Sequence, residues 1–515
     1  MKASIIKAFI PIIYLLLGTY IGSNFFSKKT PFFLPQNKTQ ELQSFIFNEY
    51  VDSINIDSIT ELTIEKMLKS LDPHSTYIPL KEINAVSENM QGSFEGIGVE
   101  FEIQKDTIVV VAPIIGGPSE KIGIKSGDRI VVVEEDTIAN KRINNNKVIR
   151  LLRGKKGTKV NVFIKRRGVS KWIPFSIIRD KIPLYSVDAA YHITPSTFYI
   201  KINRFSETTF SEFKNKTDNL NSQSIKNVIL DLRGNPGGYL HSCVQVIDEF
   251  LKKGTPIVYT KGKNRDKKEY FSTKKGVFQE SNIIVLIDEG SASASEIIAG
   301  AIQDNDRGTI IGRRSFGKGL VQEQWFFDDG SALRLTTAKY YTPTGRSIQR
   351  PYKDSETYYN EHIDRFKTGE VYFKDSINIV DTIQFKTPKG KIVYGGGGII
   401  PDVYVPYDTT IFTSQFYHLI NTGLISDFSC YYADKNRADI RSNNIPNTCF
   451  SEFLNFLLID KREEVVFFNE KEKLYLKAYV EASVARNING RESFYPIIHR
   501  KDPYLIEALK QINKN

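Results

Sequence analysis

Apolar positions in the first part of the chain recur at helical spacing between residues 38 and 88. The residues that set this spacing are Phe45, Ile46, Tyr50, Leu62, Met67 and Leu71. They predict an N-terminal helical region over residues 36–90. Asp72-Pro73 ends one helix of this region, because proline disfavours helical backbone in the residue before it.

Alternating apolar and polar positions mark residues 91–178, where glycine turns separate short strands. A glycine-rich segment over residues 92–98 leads into the first strand. Further strands are predicted at residues 107–112, 129–133 and 159–166, with a short helix within 118–127. The pattern indicates a small β-rich module.

From about residue 179 to about 407 the pattern becomes strand–helix alternation. Two apolar, β-branched runs, residues 228–232 and 283–287, predict buried strands. Each run is followed by a glycine-rich loop and then by a helix, over 240–251 and from 294 to about 303. Loops at the ends of such strands are where α/β folds place their sites.

The remaining segments are less regular. Residues 351–393 are polar, aromatic and irregular, and we interpret them as an insertion in the α/β region. A glycine run at 395–398 leads into a last predicted strand near 402–405. Residues 408–515 are predicted to be mostly helical, with 461–484 the clearest segment. The length of 515 residues, 41% of them apolar, suits several folded domains.

The N-terminus carries an export signal. Two lysines precede an apolar stretch over residues 8–22, and Lys28 and Lys29 follow it. The stretch is shorter than the roughly 20 apolar residues of a spanning helix, but flanking apolar residues extend it. We favour an uncleaved membrane anchor at residues 1–27 over a cleaved signal peptide. The body of the protein is expected in a bacterial cell envelope, on the periplasmic side of the inner membrane or free in the periplasm.

The formal net charge of +11 comes from lysines and arginines spread along the chain. Their one dense run, residues 261–268, is predicted to be a hairpin tip. We interpret the charge as a solvated basic surface and expect no nucleic acid partner, since no nucleic-acid-binding motif accompanies it.

The three cysteines form no Cys-x-x-Cys pair and the histidines are far apart, so no metal is expected. Cys430 and Cys449 could form a disulfide in an oxidising compartment.

Small residues crowd a predicted strand-to-helix junction at residues 290–297, Gly-Ser-Ala-Ser-Ala-Ser-Glu-Ile. A serine hydroxyl there lies at a helix N-terminus, where free N–H groups favour a developing anion. Serine is also a common N-cap, and Glu296, three residues after Ser293, fits a capping box. The segment alone therefore also suits a purely structural role.

Two other glycine-containing segments suit the same chemistry. Lys318 lies between two glycines in Ser-Phe-Gly-Lys-Gly, and a buried lysine that loses its charge can act as a general base. Gly237 and Gly238 follow a strand and could present an N–H to an oxyanion. Taken alone, the first segment equally suits a surface turn, and the second a plain strand-to-helix turn.

Two other kinds of site compete with this interpretation. Residues 312–318 fit G-x-x-x-x-G-K, but Gly319 stands where a phosphate-binding loop needs serine or threonine for magnesium. A Ser-His-Asp triad would take its base from His192 or His241. His241 is the better candidate, because it follows the glycine loop.

Taken together, these segments resemble the C-terminal processing peptidases, also called tail-specific proteases. The resemblance rests on residues 290–297, 315–322 (Ser-Phe-Gly-Lys-Gly-Leu-Val-Gln) and 231–238 (Asp-Leu-Arg-Gly-Asn-Pro-Gly-Gly), and it spans about 38–407. It implies a multidomain α/β protein with an N-terminal helical segment, a PDZ module, a crotonase-like α/β peptidase core over 179–407 and a C-terminal helical region.

The resemblance implies roles for five residues of the peptidase core. Ser293 is the implied nucleophile, and Lys318 is the implied general base. Gln322, one turn further along if this stretch is helical, is implied to position the lysine. Gly238 and Ala294 are implied to supply the N–H groups that bind the oxyanion.

The module at residues 91–178 resembles the family's PDZ domain. A PDZ domain binds an extended C-terminal peptide as an added strand, and a glycine-rich loop captures the carboxylate. The matching loop residues are Gly96, Ile97, Gly98 and Val99.

The implied function is a serine-type endopeptidase that cleaves exported proteins at or near their C-termini, with a Ser-Lys dyad and PDZ-mediated recognition of the substrate tail. No cofactor is implied. The implied partners are protein substrates bound by their tails, the membrane through the N-terminal anchor, and a second copy of the chain or an adaptor protein.

Arg153, in a turn of the PDZ module, is a candidate for linking that module to the peptidase. The competing interpretation is a non-catalytic PDZ scaffold with a degenerate hydrolase domain.

Overall fold

The computed structural model describes residues 38–514, except 105, 140, 219, 221–223, 275, 353–354, 380, 438–439, 441–443, 461–466 and 468. The chain forms two units, one that ends at Met67 and one that begins at Leu68. The anchor predicted at residues 1–27 lies outside the described residues. Among the helices that are described, none is both long and apolar enough to cross a membrane.

The N-terminal helical region contains α1 (Lys38–Glu49), α2 (Ile56–Lys69) and α3 (Leu80–Gln91), so the prediction of helix is confirmed for most of it. The prediction is wrong at β1 (Thr76–Ile78), a strand that pairs antiparallel with β18 (Ala332–Tyr341). Tyr77 and Ile78 are buried there. Packing against a distant strand decides the conformation of so short a segment, and local spacing cannot reveal it.

The β-rich module is built on one antiparallel sheet in the order β3-β4-β5-β7-β8, with β6 paired to β5. Its elements are β3 (Val99–Gln104), β4 (Thr107–Pro113), α4 (Pro118–Lys121), β5 (Arg129–Val133), β6 (Asp136–Thr137), α5 (Asn145–Leu152), β7 (Lys159–Lys165) and β8 (Ile173–Ile178). At the two ends of the module, β2 (Ser93–Gly96) and β9 (Asp180–Pro183) pair with each other as a separate ribbon. The predicted strands are confirmed.

The α/β region is built on a six-stranded sheet in the order β10-β11-β12-β15-β16-β21, parallel except for β10. Its elements are β10 (Val187–Thr194), β11 (Thr197–Ile202), α6 (Thr209–Thr217), β12 (Asn227–Asp231), α7 (Leu240–Asp248), β15 (Asn282–Ile287), α8 (Ala294–Asp304), β16 (Gly308–Gly312) and β21 (Val403–Tyr404). Because β12 and β15 are adjacent and parallel, their carboxyl ends meet at one edge of the sheet. The two glycine-containing loops that follow these strands are therefore neighbours.

A second sheet has the order β1-β18-β13-β14, and β17 also pairs with β18, antiparallel over its residues 332–339. Its other strands are β13 (Pro256–Gly262), β14 (Arg265–Phe271) and β17 (Leu320–Phe326). The predicted basic hairpin is confirmed, since β13 and β14 are antiparallel neighbours joined at Gly262 and Arg265.

The interpretation of residues 351–393 as irregular is wrong. They contain α9 (Ser355–Lys367), a 3₁₀ turn (Lys374–Ser376) and a hairpin of β19 (Gln384–Lys386) and β20 (Ile392–Tyr394). Buried ion pairs hold this segment: Glu361 pairs with Arg314 (2.9 Å) and Arg365 (2.8 Å), and Glu370 pairs with Arg314 (2.6 Å). Charged residues are seldom buried, so the polar composition concealed an ordered segment.

The C-terminal region is mostly helical, as predicted. It comprises α10 (Ser414–Asn421), α11 (Leu424–Asn436), α12 (Thr448–Asn455), a π-helical turn (Phe456–Asp460), α13 (Glu470–Asn489), a 3₁₀ turn (Arg491–Ser493), α14 (Tyr495–Ile498) and α15 (Pro503–Ile512). The helix predicted over 461–484 begins at Glu470, and residues 461–466 and 468 lie outside the described part. Cys430 and Cys449 are each buried as free thiols, so the disulfide left open above is not formed.

Candidate active site

Ser293 lies between β15 and α8, as the N-cap residue of the helix. Its backbone has a φ of +53° and a ψ of −112°, a conformation that costs a non-glycine residue about 1–3 kcal/mol. The neighbouring loop packs against it directly: a Cβ on Gly237 would lie 2.7 Å from the Cβ of Ser293 and 2.9 Å from the nitrogen of Ala294. Only glycine fits at position 237, and its absence of a side chain lets the two loops meet.

Glu296 is fully buried and joins the serine segment to the lysine segment. Its Oε2 accepts hydrogen bonds from the N–H groups of Ser293 (2.8 Å) and Lys318 (2.9 Å). Its Oε1 accepts from the Gly317 N–H (2.7 Å) and the Ser315 hydroxyl (2.5 Å). Burial raises the pKa of Glu296, and these four donors oppose the shift. One carboxylate therefore holds the backbones of Ser293 and Lys318 side by side.

Tyr340, on β18, makes a second connection between the same two backbones. Its buried hydroxyl lies within hydrogen-bonding distance of the carbonyl oxygens of Ser293 (3.1 Å) and Lys318. Burial raises the pKa of Tyr340 well above its ordinary value, so the phenol keeps its proton and acts as a donor. Glu296 thus joins the N–H groups of Ser293 and Lys318, and the single O–H of Tyr340 lies between their carbonyl groups and can donate to either.

The amine of Lys318 lies in a partly buried position where its charge is disfavoured. Burial is the largest cause that lowers the pKa of Lys318, and the nearby guanidinium of Arg334 lowers it further. The carboxylates of Glu296 and Asp72 oppose the shift. Because the pKa is lower than that of an exposed lysine, a larger fraction of Lys318 is neutral at a given pH. A neutral amine can accept a proton.

Two backbone N–H groups at the meeting point of the loops have no hydrogen-bond acceptor among the described residues. One is that of Ala294, the first residue of α8, where helical N–H groups lack partners. The other is that of Gly238, which forms a parallel bridge with Phe205. In this bridge Phe205 donates to the Gly237 carbonyl (2.8 Å) and accepts from the Tyr239 N–H (2.7 Å), so the Gly238 N–H is not used. Free N–H groups of this kind can stabilise an oxyanion.

Gln322 lies on a strand, so the helical stretch that would place it one turn from Lys318 is not present. Its backbone is extended because residues 320–326 pair with β18, where Gln322 is opposite Thr336. The side-chain amide donates to the hydroxyl of Thr336 (3.3 Å). Its implied role in positioning Lys318 stays a prediction.

The two histidines proposed for a Ser-His-Asp triad are engaged elsewhere. The ring of His192 packs against Phe198, with 5.0 Å between centroids, and that of His241 against Tyr239, with 5.1 Å. Within the described residues, no hydrogen bond joins either imidazole to Ser293. The geometry gives no support to a histidine base.

The phosphate-binding loop is also unsupported, because its N–H groups are already used. The N–H groups of Gly317 and Lys318 donate to the buried carboxylate of Glu296. The Gly319 N–H donates to the side-chain oxygen of Gln349 (2.7 Å). A carboxylate occupies the position that a phosphate would need.

The predicted carboxylate loop of the β-rich module lies between β2 and β3. Gly96 ends β2, Val99 begins β3, and Ile97 and Gly98 connect them. The Ile97 carbonyl accepts hydrogen bonds from the N–H (3.1 Å) and the hydroxyl (2.6 Å) of Ser119, and these two bonds hold the loop in place. Among the described residues, the N–H groups of Ile97 and Gly98 have no acceptor, and β3 pairs only with β4. A free strand edge beside unpaired N–H groups suits an added strand that ends in a carboxylate.

Arg153 connects the end of α5 to α3, which precedes the module, and to β2 at the start of the module. It donates to the carboxylate of Glu88 on α3, and its guanidinium lies 4.5 Å from the ring centre of Phe94 on β2. Its predicted link to the peptidase stays a prediction.

The sequence interpretation missed Tyr340 and Arg334, and it gave Glu296 only a capping role. The predicted capping contact of Glu296 is present, since its side chain accepts a hydrogen bond from the N–H of Ser293, the N-cap residue. The other contacts of Glu296 come from the loop between β16 and β17, which no local pattern reveals. Tyr340 and Arg334 both lie on β18, outside the motifs around Ser293 and Lys318.

Two segments of the chain match known protein families. Residues 196–355 match peptidase family S41, and residues 96–173 match the PDZ domain. The carboxy-terminal processing protease CtpB of Bacillus subtilis is 36% identical over 350 residues, which cover 67% of this chain and 71% of CtpB. The carboxy-terminal-processing protease of Bartonella bacilliformis is 39% identical over 325 residues, which cover 61% of this chain and 74% of that protein. The chain belongs to the carboxy-terminal processing proteases of peptidase family S41, which are serine peptidases with a PDZ domain.

Among solved structures, the photosystem II D1 C-terminal processing protease is similar to this chain. The match covers 72% of this chain and 87% of that protein. The sequence identity is 24% and the TM-score is 0.38. At this TM-score the match indicates no more than a distant likeness.

Proposed function

We propose that this C-terminal processing protease is an exported endopeptidase that cuts substrate proteins at or near their C-termini with a Ser293–Lys318 dyad. The PDZ domain binds the substrate tail along the edge of β3, with its carboxylate at Ile97 and Gly98. The export signal in the sequence supports a location in the cell envelope, on the periplasmic side of the inner membrane.

The reaction begins when neutral Lys318 takes the proton of the Ser293 hydroxyl as its oxygen attacks the peptide carbonyl carbon. The carbonyl oxygen becomes an oxyanion, which accepts hydrogen bonds from the N–H groups of Gly238 and Ala294. The protonated Lys318 then gives its proton to the leaving amine as the C–N bond breaks. A water molecule, deprotonated by the same amine, hydrolyses the ester on Ser293 and restores the free enzyme.

One observation carries this proposal: the carboxylate of Glu296 accepts hydrogen bonds from the backbones of both Ser293 and Lys318. A structural serine and a structural lysine need no common anchor. A nucleophile and its base do, since proton transfer requires a fixed approach of the two side chains. The lowered pKa of Lys318 is consistent with the same role.

The proposal is tested with a fluorogenic peptide that ends in a free apolar tail and with its C-terminally amidated twin. S293A and K318A should fold and should each lose at least about 1000-fold in kcat. K339A removes an exposed lysine of β18 and should cleave like the wild type. The amidated peptide should show a higher KM than the free one, because the carboxylate contact is lost.

Wild-type rates of cleavage by folded S293A or K318A would refute the dyad. If the wild type binds the tail peptide but cleaves no tested substrate, the scaffold interpretation replaces this one.

A further inference from the structure

Lys318 lies in the loop over residues 313–319 that joins β16 to β17, and we call this segment the Lys318 loop. Its N–H groups are bound by the serine segment. The N–H of Lys318 donates to the carboxylate of Glu296 (2.9 Å), and that of Phe316 donates to the carbonyl of Ser291 (2.9 Å). One side of the loop is therefore attached to the nucleophile.

The carbonyl groups of the same loop are bound by one side chain of α9. Arg365 is 3% exposed, and its two Nη atoms donate to the carbonyl oxygens of Arg314 (2.8 Å), Ser315 (3.0 Å) and Phe316 (3.4 Å). These three residues end two positions before Lys318. A guanidinium is planar and carries five N–H donors in a fixed fork, so one arginine can hold several acceptors in a defined arrangement.

Carboxylates fix the position of Arg365 in turn. Its Nε donates to Glu361 (2.8 Å), one helical turn earlier in α9, which leaves both Nη atoms for the loop. Glu370 lies 3.8 Å from the same Nε. Both carboxylates also pair with Arg314 of the loop, as described above. The guanidinium is thus held from one side and donates to the loop on the other.

The loop needs such contacts because its own sequence does not restrict it. Lys318 lies between Gly317 and Gly319, and glycine restricts the backbone less than any other residue. The path of this backbone is therefore determined by what binds it, namely the serine segment at its N–H groups and Arg365 at its carbonyl groups. Arg365 lies outside residues 196–355, the segment that matches peptidase family S41. The sequence interpretation assigned no role to it.

We propose that Arg365 is a positioning residue, which holds the Lys318 loop so that the amine of Lys318 is in place to take the proton of Ser293. The segment over residues 351–393 then belongs to the machinery of the reaction, although it was interpreted from sequence as an insertion. This inference rests on the proposed function, because it assumes that Lys318 is the base.

The first test separates positioning from stability. R365M keeps much of the side-chain volume but removes every donor, and it should lower kcat by about 100-fold with little change in KM, because a displaced base slows the reaction after substrate has bound. R365K keeps the charge and some donors, and it should lower kcat by about tenfold.

R307M is the matched control. Arg307 is also partly buried and lies just before β16, at the opposite end of that strand from the Lys318 loop. Its guanidinium donates to four main-chain carbonyl oxygens, those of Phe250 (2.9 Å), Phe278 (2.8 Å), Gln279 (2.9 Å) and Ser281 (2.7 Å). Like R365M it should lower the urea midpoint of unfolding, since buried carbonyls lose their donors, but its kcat should stay near the wild-type value.

The second test asks whether Arg365 acts through Lys318. The measured quantity is the rate at which a fluorophosphonate labels Ser293. R365M should slow labelling in the presence of Lys318, but K318A and the double variant K318A/R365M should be labelled at the same rate. A general disturbance of the serine segment would slow labelling in both backgrounds.

A kcat of R365M within about threefold of the wild type would overturn the inference. It would also be overturned by an equal loss of kcat in R307M, or by slower labelling of K318A/R365M than of K318A. Should R365M fail to fold, R365K decides by the same two measurements, and an unchanged kcat there contradicts the positioning role. Labelling of K318A at the wild-type rate is a different result, which would remove the proposed function itself.

Discussion

The segment around Ser293 and the PDZ loop around Gly98 both present unpaired backbone N–H groups, but they are held in different ways. At the segment around Ser293, the buried side chains of Glu296 and Tyr340 contact the backbones of Ser293 and Lys318. At the PDZ loop, the Ile97 carbonyl is fixed by Ser119, while one edge of β3 is free among the described residues. The backbone around Ser293 is thus held by buried side chains of the protein itself, whereas one edge of β3 has no paired strand among the described residues.

This difference indicates a division of labour. A site that must hold two side chains in a reactive approach benefits from a rigid, buried scaffold. A site that reads many tails benefits from an open strand edge, because the added strand brings its own hydrogen bonds. Changes at the catalytic segment should therefore reduce kcat, and changes at the PDZ loop should mainly raise KM.

The largest effect is expected at Gly238. A Cβ there would lie 2.0 Å from the carbonyl oxygen of Phe205, and the φ of +144° disfavours any other residue. G238A should displace the loop and lower kcat by at least about 1000-fold. G234A is the matched control, since its Cβ would meet nothing within 4 Å and its φ of +65° costs alanine only about 1 kcal/mol. A kcat of G238A close to that of the wild type would show that the position of this loop does not have to be fixed.

The second largest effect is expected at Glu296. E296A leaves four buried donors without their acceptor and should lower the free energy of unfolding by about 3 kcal/mol or more. E296Q keeps the shape and should retain more stability but lose about 100-fold in kcat, since an amide cannot accept from all four donors. Urea unfolding and steady-state kinetics measure the two effects. A kcat close to that of the wild type in E296Q would show that the shared anchor is not needed.

A moderate effect is expected at Gly98 of the PDZ loop. Its φ is +72°, and a Cβ would lie 2.9 Å from Cδ1 of Ile182, so G98A should distort the loop. We expect KM for a free-tail peptide to rise about tenfold with little change in kcat. G123A is the control in the same module, because its Cβ would meet nothing within 4 Å. An equal loss of kcat in G98A would contradict the division of labour.

The smallest effect concerns stability and its pH dependence. K318M removes a charge that burial disfavours and should raise the free energy of unfolding near neutral pH by about 1 kcal/mol. Because the folded state lowers the pKa of Lys318, the gain is full below that folded-state pKa. It shrinks as the pH rises from there towards 10.5, the ordinary value for lysine. A gain that grows with pH would show that the sign of the pKa shift is wrong.

The sequence predicts the individual elements of the fold better than their connections. The strands before the two glycine-containing loops and the helix after Ser293 follow from apolar runs and glycine positions. The strand at 76–78 and the helix at 355–367 do not, because pairing with β18 and buried ion pairs between distant residues stabilise them.

The same limit applies to the site. Motifs identify Ser293 and Lys318 as candidates, since nucleophile and base need special backbone surroundings that leave a local pattern. Tyr340 and Arg365 contact these segments from a strand and a helix that are distant in sequence, so no local spacing marks them. For Gln322 the sequence left the secondary structure open, and pairing with β18 makes the segment extended.

The claim that a neutral Lys318 activates Ser293 is tested most directly by the rate at which a fluorophosphonate labels the protein, with the labelled residue identified by mass spectrometry. We predict labelling at Ser293, at a rate that rises with pH as Lys318 loses its proton, and at least about 100-fold slower labelling in folded K318A. Equal labelling rates for the wild type and K318A, or labelling at a serine other than Ser293, would contradict the account.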